Sequence, residues 1–371
     1  MSNFFQPTFG NRPEQIVGRD GEINAFISGL KEPIGARERC TLFLGQRGMG
    51  KTALLLEIAD RAAAAGFIVA RVTAFEGMPS AIIEQIQLNG SRYFKDEKKS
   101  LSGVTVGAMG FSFGLAFSEA ANQQYGFRAK MSLLCERLEE KKKGVLILID
   151  EVQTSAAMRE VATAYQELVG DHRNIAIGMA GLPYAVSGVL NDEVLTFLNR
   201  ACKVNLGSIS IASIRAYFEH AFRSMNISCP EPILDLAAEK SRGLPYFMQL
   251  LGYYLTLYAK DTSAIDKETL KKAESSAIRD LEDNVFKPTL APLSDNDRFF
   301  LMAMARCKDP ITTNELQEQL GSQASSLQPY RKRLLDTGII EAPRRGELVF
   351  AVPYLREYLL DEEESGFHVR R

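Results

Sequence analysis

Residues 45–52 read Gly-Gln-Arg-Gly-Met-Gly-Lys-Thr and fit the pattern G-x-x-x-x-G-K-[ST] at each fixed position: Gly45, Gly50, Lys51 and Thr52. The flanks agree with it. Cys40-Thr41-Leu42-Phe43-Leu44 enters the octapeptide as a buried strand would, and Ala53-Leu54-Leu55-Leu56-Glu57-Ile58 leaves it with helical spacing. Glycines here let the chain curl so that successive backbone N–H groups face one anion, and the helix start adds the positive end of its dipole. The stretch Gly45, Gln46, Arg47, Gly48, Met49, Gly50, Lys51, Thr52 and Ala53 is therefore expected to cradle the phosphates of ATP. Lys51 would reach the β- and γ-phosphates, and the Thr52 hydroxyl would ligate Mg²⁺.

Working outward, further strands are predicted at 67–72, 145–149 and 175–180, with a short fifth at 202–206. Helical stretches separate them. This alternation predicts an α/β fold built on a parallel five-stranded sheet. Val145-Leu146-Ile147-Leu148-Ile149 is a continuous β-branched and leucine run, suited to a strand covered on both faces. It ends in Asp150-Glu151. A carboxylate at that tip can hold Mg²⁺ through water, which is the role expected of Asp150, and Glu151 can polarise an attacking water.

At 371 residues, with 46% hydrophobic and 24% charged content, the chain is long enough for two or three ordinary globular domains. A net charge of −2 excludes a chain-wide basic field, so any nucleic-acid contact must come from a local patch. The five cysteines show no C-x-x-C spacing and suggest no zinc site; three lie in apolar patterns as small buried hydrophobes. The odd count and the lack of a basic-then-apolar start favour a reducing, cytoplasmic setting. No apolar run approaches the roughly 18 to 20 residues of a membrane span.

Beyond residue 208 the strand signal stops, and helices are expected at 211–225, 230–241, 244–259 and 266–284. The organisation read from these shifts is a nucleotide-binding domain over 1–207, a helical lid over 208–290, and a third domain over 291–371. That last part reads as a winged helix-turn-helix: helices 295–306, 314–320 and 324–337, then wing strands 338–340 and 348–350. Gln328, Arg331, Lys332 and Arg333 on the third helix, with Arg344 and Arg345 at the wing tip, gather positive charge where such a module meets duplex DNA. A protein-docking module and a merely solvated basic face are the alternatives. The acidic residues 361–364 read as a solvated end. Residues 103–117 alternate with period two and carry four glycines, consistent with a β-hairpin or flap, or with an insertion packed on the sheet.

In their order, these motifs resemble AAA+ ATPases, and most closely the origin-recognition-type, archaeal ATPase and STAND-related group. The resemblance rests on Ile16-Val17-Gly18-Arg19, Glu22, the 45–52 loop, LILIDE at 146–151, Gly181-Leu182-Pro183, Arg200 and Gly243-Leu244-Pro245, and covers roughly residues 14–360. It implies an ASCE-type P-loop NTPase core. It further implies that Val17, Gly18 and Arg19 line the adenine pocket, that Pro245 in the lid closes over the base, and that Arg200 serves a neighbouring subunit as an arginine finger. The ATP site would then be shared within a homo-oligomer. Two departures stand out. The fourth strand ends in Ala180-Gly181 without the polar sensor residue, Asn174 lying at its other end. Tyr246 replaces a sensing arginine, and Arg242 is nearby but out of register. Both point to slow turnover, or to a switch in which ATP binding matters more than hydrolysis; with the C-terminal basic patch, the first reading is a slowly hydrolysing ATPase switch that engages duplex DNA. The alternatives are a STAND-like signalling ATPase whose winged helix docks a protein partner, and a mobile-element or transposition accessory ATPase.

Overall fold

The computed structural model describes residues 4–8, 14–94, 125–308, 310–321, 328–344 and 346–364. The glycine-rich stretch 103–117 and Arg345 lie outside them. Helix α1 (Asp20–Gly29) precedes strand β1 (Cys40–Leu44), which feeds α2 (Lys51–Ala64). Then follow β2 (Phe67–Thr73), α3 (Met78–Phe94), α4 (Phe127–Glu140), β3 (Gly144–Asp150), α5 (Ala156–Gly170), β4 (Ile175–Gly181), α6 (Pro183–Leu190) and β5 (Cys202–Asn205). The sheet is parallel throughout, in the order β2-β3-β4-β1-β5.

Period-two alternation splits each central strand between two cores. Leu146 and Leu148 of β3 join Phe26 of α1 and Leu54, Leu55 and Ile58 of α2 on one face. Val145, Ile147 and Ile149 join α3, α4 and α5 on the other. Every residue of β3 and β4 is buried, which explains why both read as unbroken apolar runs. Strand β2 forms an edge, and α3 blunts it: Gln85 accepts from the Arg71 N–H (2.8 Å) and donates to the Arg71 carbonyl (2.9 Å). Cys135 and Cys307 are buried, while Cys40, Cys202 and Cys229 are half-buried; all five are free.

A helical segment follows: α7 (Ile211–Ser224), α8 (Glu231–Lys240), α9 (Pro245–Tyr258) and α10 (Lys267–Leu281). The last continues through a π turn, Glu282–Phe286, into Lys287–Leu290. Residues 4–6 are anchored on this segment. Phe5 is 1% exposed and packs among Tyr217, Phe218 and Phe222. Gly252 of α9 makes the room, since a β-carbon there would overlap the Phe5 ring. The Tyr217 hydroxyl donates to the Phe4 carbonyl (2.6 Å) and the Gln6 N–H to Gln249 (2.9 Å).

The C-terminal segment comprises α11 (Asp295–Arg306), β6 (Ile311–Thr312), α12 (Thr313–Leu320), α13 (Gln328–Asp336), β7 (Ile340–Glu341), β8 (Glu347–Phe350) and α14 (Leu355–Glu364). Its strands pair antiparallel in the order β6-β8-β7. Strand β6 escapes sequence reading because two residues carry no periodicity. The acidic residues 361–364 are mostly exposed, as a solvated end would be: Asp361, Glu363 and Glu364 are open and Glu362 is half-buried. They close α14, where Glu363 pairs with Arg306 and Glu362 accepts from the Tyr358 hydroxyl (2.6 Å). No helix among the described residues is long and apolar enough to cross a membrane.

Candidate nucleotide-binding site

Because the strands are parallel, the carboxyl ends of β1, β3 and β4 meet at one edge of the sheet, where open α/β folds bind ligands. The 45–52 loop leaves β1 there. Gly48 (φ 80°) and Gly50 (φ 79°) are left-handed, a region open to glycine at little cost. The Lys51 ammonium folds back onto the loop and donates to the Gly45 and Gln46 carbonyls, each at 2.8 Å. Burial pushes its pKa down to about 8, against the opposing pull of Asp150. Thr52 Oγ1 donates to Asp150 Oδ2 at 2.6 Å, and Asp150 Oδ1 accepts from the Glu151 N–H at 2.9 Å. Asp150 is 6% exposed. Glu151 follows it in the left-handed region (φ 53°) with its side chain exposed.

Among the described residues, no cluster of three His, Cys, Asp or Glu side chains could hold a metal unaided. The Thr52 hydroxyl and the Asp150 carboxylate form a hard oxygen pair instead. Such a pair suits Mg²⁺, which is usually held by one or two carboxylates together with substrate phosphates. The tip of β4 lies beside the loop: the Gly45 N–H donates to the Gly181 carbonyl at 3.3 Å, and Ala180 brings no polar side chain.

Arg200 does not join this constellation within its own chain. It ends a 3₁₀ turn (Thr196–Arg200) just before β5, whose register pairs Cys202 with Thr41 at the start of β1. The length of β1, about 13 Å at the usual strand rise, separates that edge from the phosphate loop. Its side chain is exposed and makes no hydrogen bond or ion pair among the described residues.

From the helical segment, the first turn of α9 lies on the loop. The Tyr246 N–H donates to the Gly48 carbonyl at 3.0 Å, and a β-carbon at Gly50 would lie 3.8 Å from Pro245. Arg242 points away from the phosphate region. Its guanidinium lies 3.8 Å from the Tyr354 ring centre and pairs with Glu357 at 2.6 Å.

Val17 is buried, and left-handed Gly18 (φ 65°) packs on Ile209 so closely that a β-carbon would clash. Arg19, expected only to line a base pocket, is a buried strut. It donates to the Met49 carbonyl (3.5 Å) and to that of Gly207, and pairs with Glu22. It thereby ties the phosphate loop to the connection between β5 and α7. Nothing in the local sequence signals this, since the acceptors are backbone carbonyls far along the chain.

In the C-terminal segment, Gln328, Lys332 and Arg344 are exposed and Arg331 is half-buried. Arg333 is otherwise engaged. It bonds Asp297 through Nε (3.0 Å) and also reaches Ser294 Oγ (3.0 Å). Asp297 is 1% exposed and completes the capping box of α11. The Arg333 side chain nevertheless stays 49% exposed, so the pair engages its guanidinium without burying it.

Residues 283–359 match a domain of unknown function, DUF8462, whose first residue falls in the π turn after α10. Among curated proteins, none matches the chain. Among solved structures the chain is similar to the Walker-type ATPase PABY2304 of Pyrococcus abyssi: 18% identity over 94% of this chain and 97% of that one, with a TM-score of 0.62. It is also similar to Cdc6p of Pyrobaculum aerophilum (17% identity, 96% and 97% covered, TM-score 0.47) and to the Orc2 protein of Aeropyrum pernix (16%, 96% and 95%, TM-score 0.45). With the sheet order and the loop, the first likeness establishes an α/β P-loop NTPase fold.

Proposed function

We propose that this protein is an ATP-binding AAA+ ATPase that hydrolyses slowly as a conformational switch and engages duplex DNA. The hydrogen bond from Thr52 to Asp150 carries the nucleotide-binding part of this reading. It holds a hydroxyl and a carboxylate together at the foot of a glycine loop that already bears a lysine. Thr52 and Asp150 would hold Mg²⁺, which neutralises charge between the β- and γ-phosphates when bound. Lys51 would leave its two carbonyls for phosphate oxygens. Glu151 would orient the attacking water, and Arg200 of a neighbouring subunit would neutralise developing charge. The apolar Ala180, together with Tyr246 where a sensing arginine is expected, favours slow turnover.

In this reading, residues 1–207 form the nucleotide-binding domain, 208–290 the lid, and 291–371 a winged helix. The order of helices and strands in the C-terminal segment supports the last assignment, and Gln328, Arg331, Lys332, Arg333, Arg344 and Arg345 form its DNA-facing set. The rival, a module that docks a protein, draws support from the pairing of Arg333 with Asp297 and the partial burial of Arg331. Anisotropy titrations of labelled duplex DNA across a salt series discriminate the two. Lys332→Ala and Arg344→Ala should each weaken binding across sequences and reduce the salt slope by about one. A chain with no affinity for DNA even at low salt would favour the protein-docking reading.

A further inference from the structure

The C-terminal segment touches the phosphate loop directly. Gly338 follows α13 as a left-handed residue (φ 69°) and closes the helix with two C-terminal hydrogen bonds: its own N–H to the Leu335 carbonyl (2.9 Å), and the Ile339 N–H to that of Leu334 (3.1 Å). It is buried. A β-carbon at Gly338 would overlap the side-chain amide of Gln46, and would lie 3.0 Å from Gln46 Cδ and 3.1 Å from Pro183 Cγ. Gln46 itself is 8% exposed. Helix α13 packs along α6 beside this contact.

The same segment is fixed to the helical segment by an independent set of contacts. The Tyr354 hydroxyl donates to the Lys240 carbonyl at 2.6 Å, Tyr354 packs on Phe247 with ring centres 5.0 Å apart, and Tyr358 packs on Phe286 at 5.3 Å. Arg242 adds its ion pair to Glu357. The C-terminal segment is thus fixed to α8, α9 and the turn after α10, and it meets the phosphate loop at Gln46.

We propose that Gly338 and Gln46 form a latch, in which docking of the C-terminal segment on the phosphate loop and occupation of the loop by a nucleoside diphosphate or triphosphate oppose one another. Residue 46 is common to both events. Its amide is covered by Gly338, and its carbonyl is held by Lys51 at 2.8 Å. A phosphate that recruits Lys51 takes the donor from that carbonyl and turns loop N–H groups inward. The Gln46 peptide must then turn, and the side chain seated under Gly338 turns with it. Linkage makes the effect reciprocal: nucleotide weakens the dock by the factor by which docking weakens nucleotide, so a substitution that opens the dock tightens nucleotide binding up to that factor.

The test rests on the proposed nucleotide site and is arranged to fail separately from it. Gly338→Asn keeps a residue that tolerates the left-handed turn but adds a β-carbon against Gln46. Gly346→Asn is the control, a left-handed position (φ 85°) in the same segment, with ordinary space to Thr313 Oγ1 at 3.8 Å. With a fluorescent ADP analogue and Mg²⁺, Gly338→Asn should bind about tenfold tighter than wild type, within the usual range of coupling energies. Gly346→Asn should bind as wild type does, with thermal melts confirming that both fold. The chain has no tryptophan, so Tyr184→Trp on α6 supplies a single indole, at a position 48% exposed. Its emission should change when ADP is added to the otherwise wild-type chain, and should already be changed in the Gly338→Asn background. Wild type that binds while Gly338→Asn binds no tighter overturns the latch and leaves the nucleotide site standing. If neither binds, the nucleotide site falls and the latch with it.

Discussion

Raising the pH from 7.5 to 9.5 should weaken ADP binding by about 20-fold, because phosphates require a charged Lys51 and the folded chain holds that lysine near its neutral point. Its pKa in the loop is about 8 against an ordinary 10.5, and burial is the main cause. A bound diphosphate supplies the missing negative charge and returns the ammonium to its ordinary range. Between the two values, each complex must then take up a proton. At pH 8.5 the uptake should be about three-quarters of a proton, read by calorimetry in two buffers of different ionisation enthalpy. Phosphate groups, with a second pKa near 6, are already ionised there and do not mimic the effect. The ligand-free chain should respond in the opposite sense. A lysine whose pKa is depressed on folding destabilises the native state while it stays protonated, so stability should rise as the pH climbs from about 8 towards 10.5, by at most about 3 kcal/mol. Affinity falling while stability rises is a signature that general alkaline damage does not produce. Lys51→Met should flatten the pH dependence of stability. Affinity independent of pH across this range, with no proton uptake, would refute the reasoning.

Glu151→Gln should retain ATP while losing hydrolysis by roughly 10²-fold or more, since the amide cannot accept a proton from water; parallel loss of binding would place Glu151 in a structural role. Mixing Arg200→Ala subunits with Lys51→Ala subunits should restore part of the ATPase rate that each lacks alone, because some interfaces then pair an intact loop with an intact arginine. Activity unaffected by Arg200→Ala would remove it from the site. Phe5→Ala should cost about 3–5 kcal/mol of stability, the usual range for a fully buried phenylalanine, read as a lower urea midpoint. A change below 1 kcal/mol would mean that the amino-terminal anchor is not part of the cooperative core.

The phosphate loop, the Asp150-Glu151 tip and the parallel sheet were legible in sequence because each depends on a short run of residues. Glycine spacing decides how a loop curls, and an unbroken apolar run can hide only between two covered faces. Thr52 and Asp150 are far apart in the chain, yet a parallel sheet brings their elements' ends together, so even this pairing followed from strand order. The arginines were different. Arg19, Arg242 and Arg333 look alike as sequence, but one braces backbone carbonyls, one stacks on Tyr354, and one pairs with buried Asp297. Charge alone does not say whether a guanidinium is exposed or already satisfied.

By itself, the sequence determined that this chain curls a glycine loop at the end of a buried strand, with a lysine, a hydroxyl and a carboxylate converging there, since local spacing and strand polarity dictate that much. Only the tertiary structure decided what leans on that loop. Phe5 in the space above Gly252, Tyr246 on Gly48 and Gly338 against Gln46 are contacts between elements distant in sequence, where the absence of one β-carbon makes room for a neighbour. Such close approaches leave no periodic trace along the chain, because they depend on how packed helices place each backbone, and not on the residues next to it.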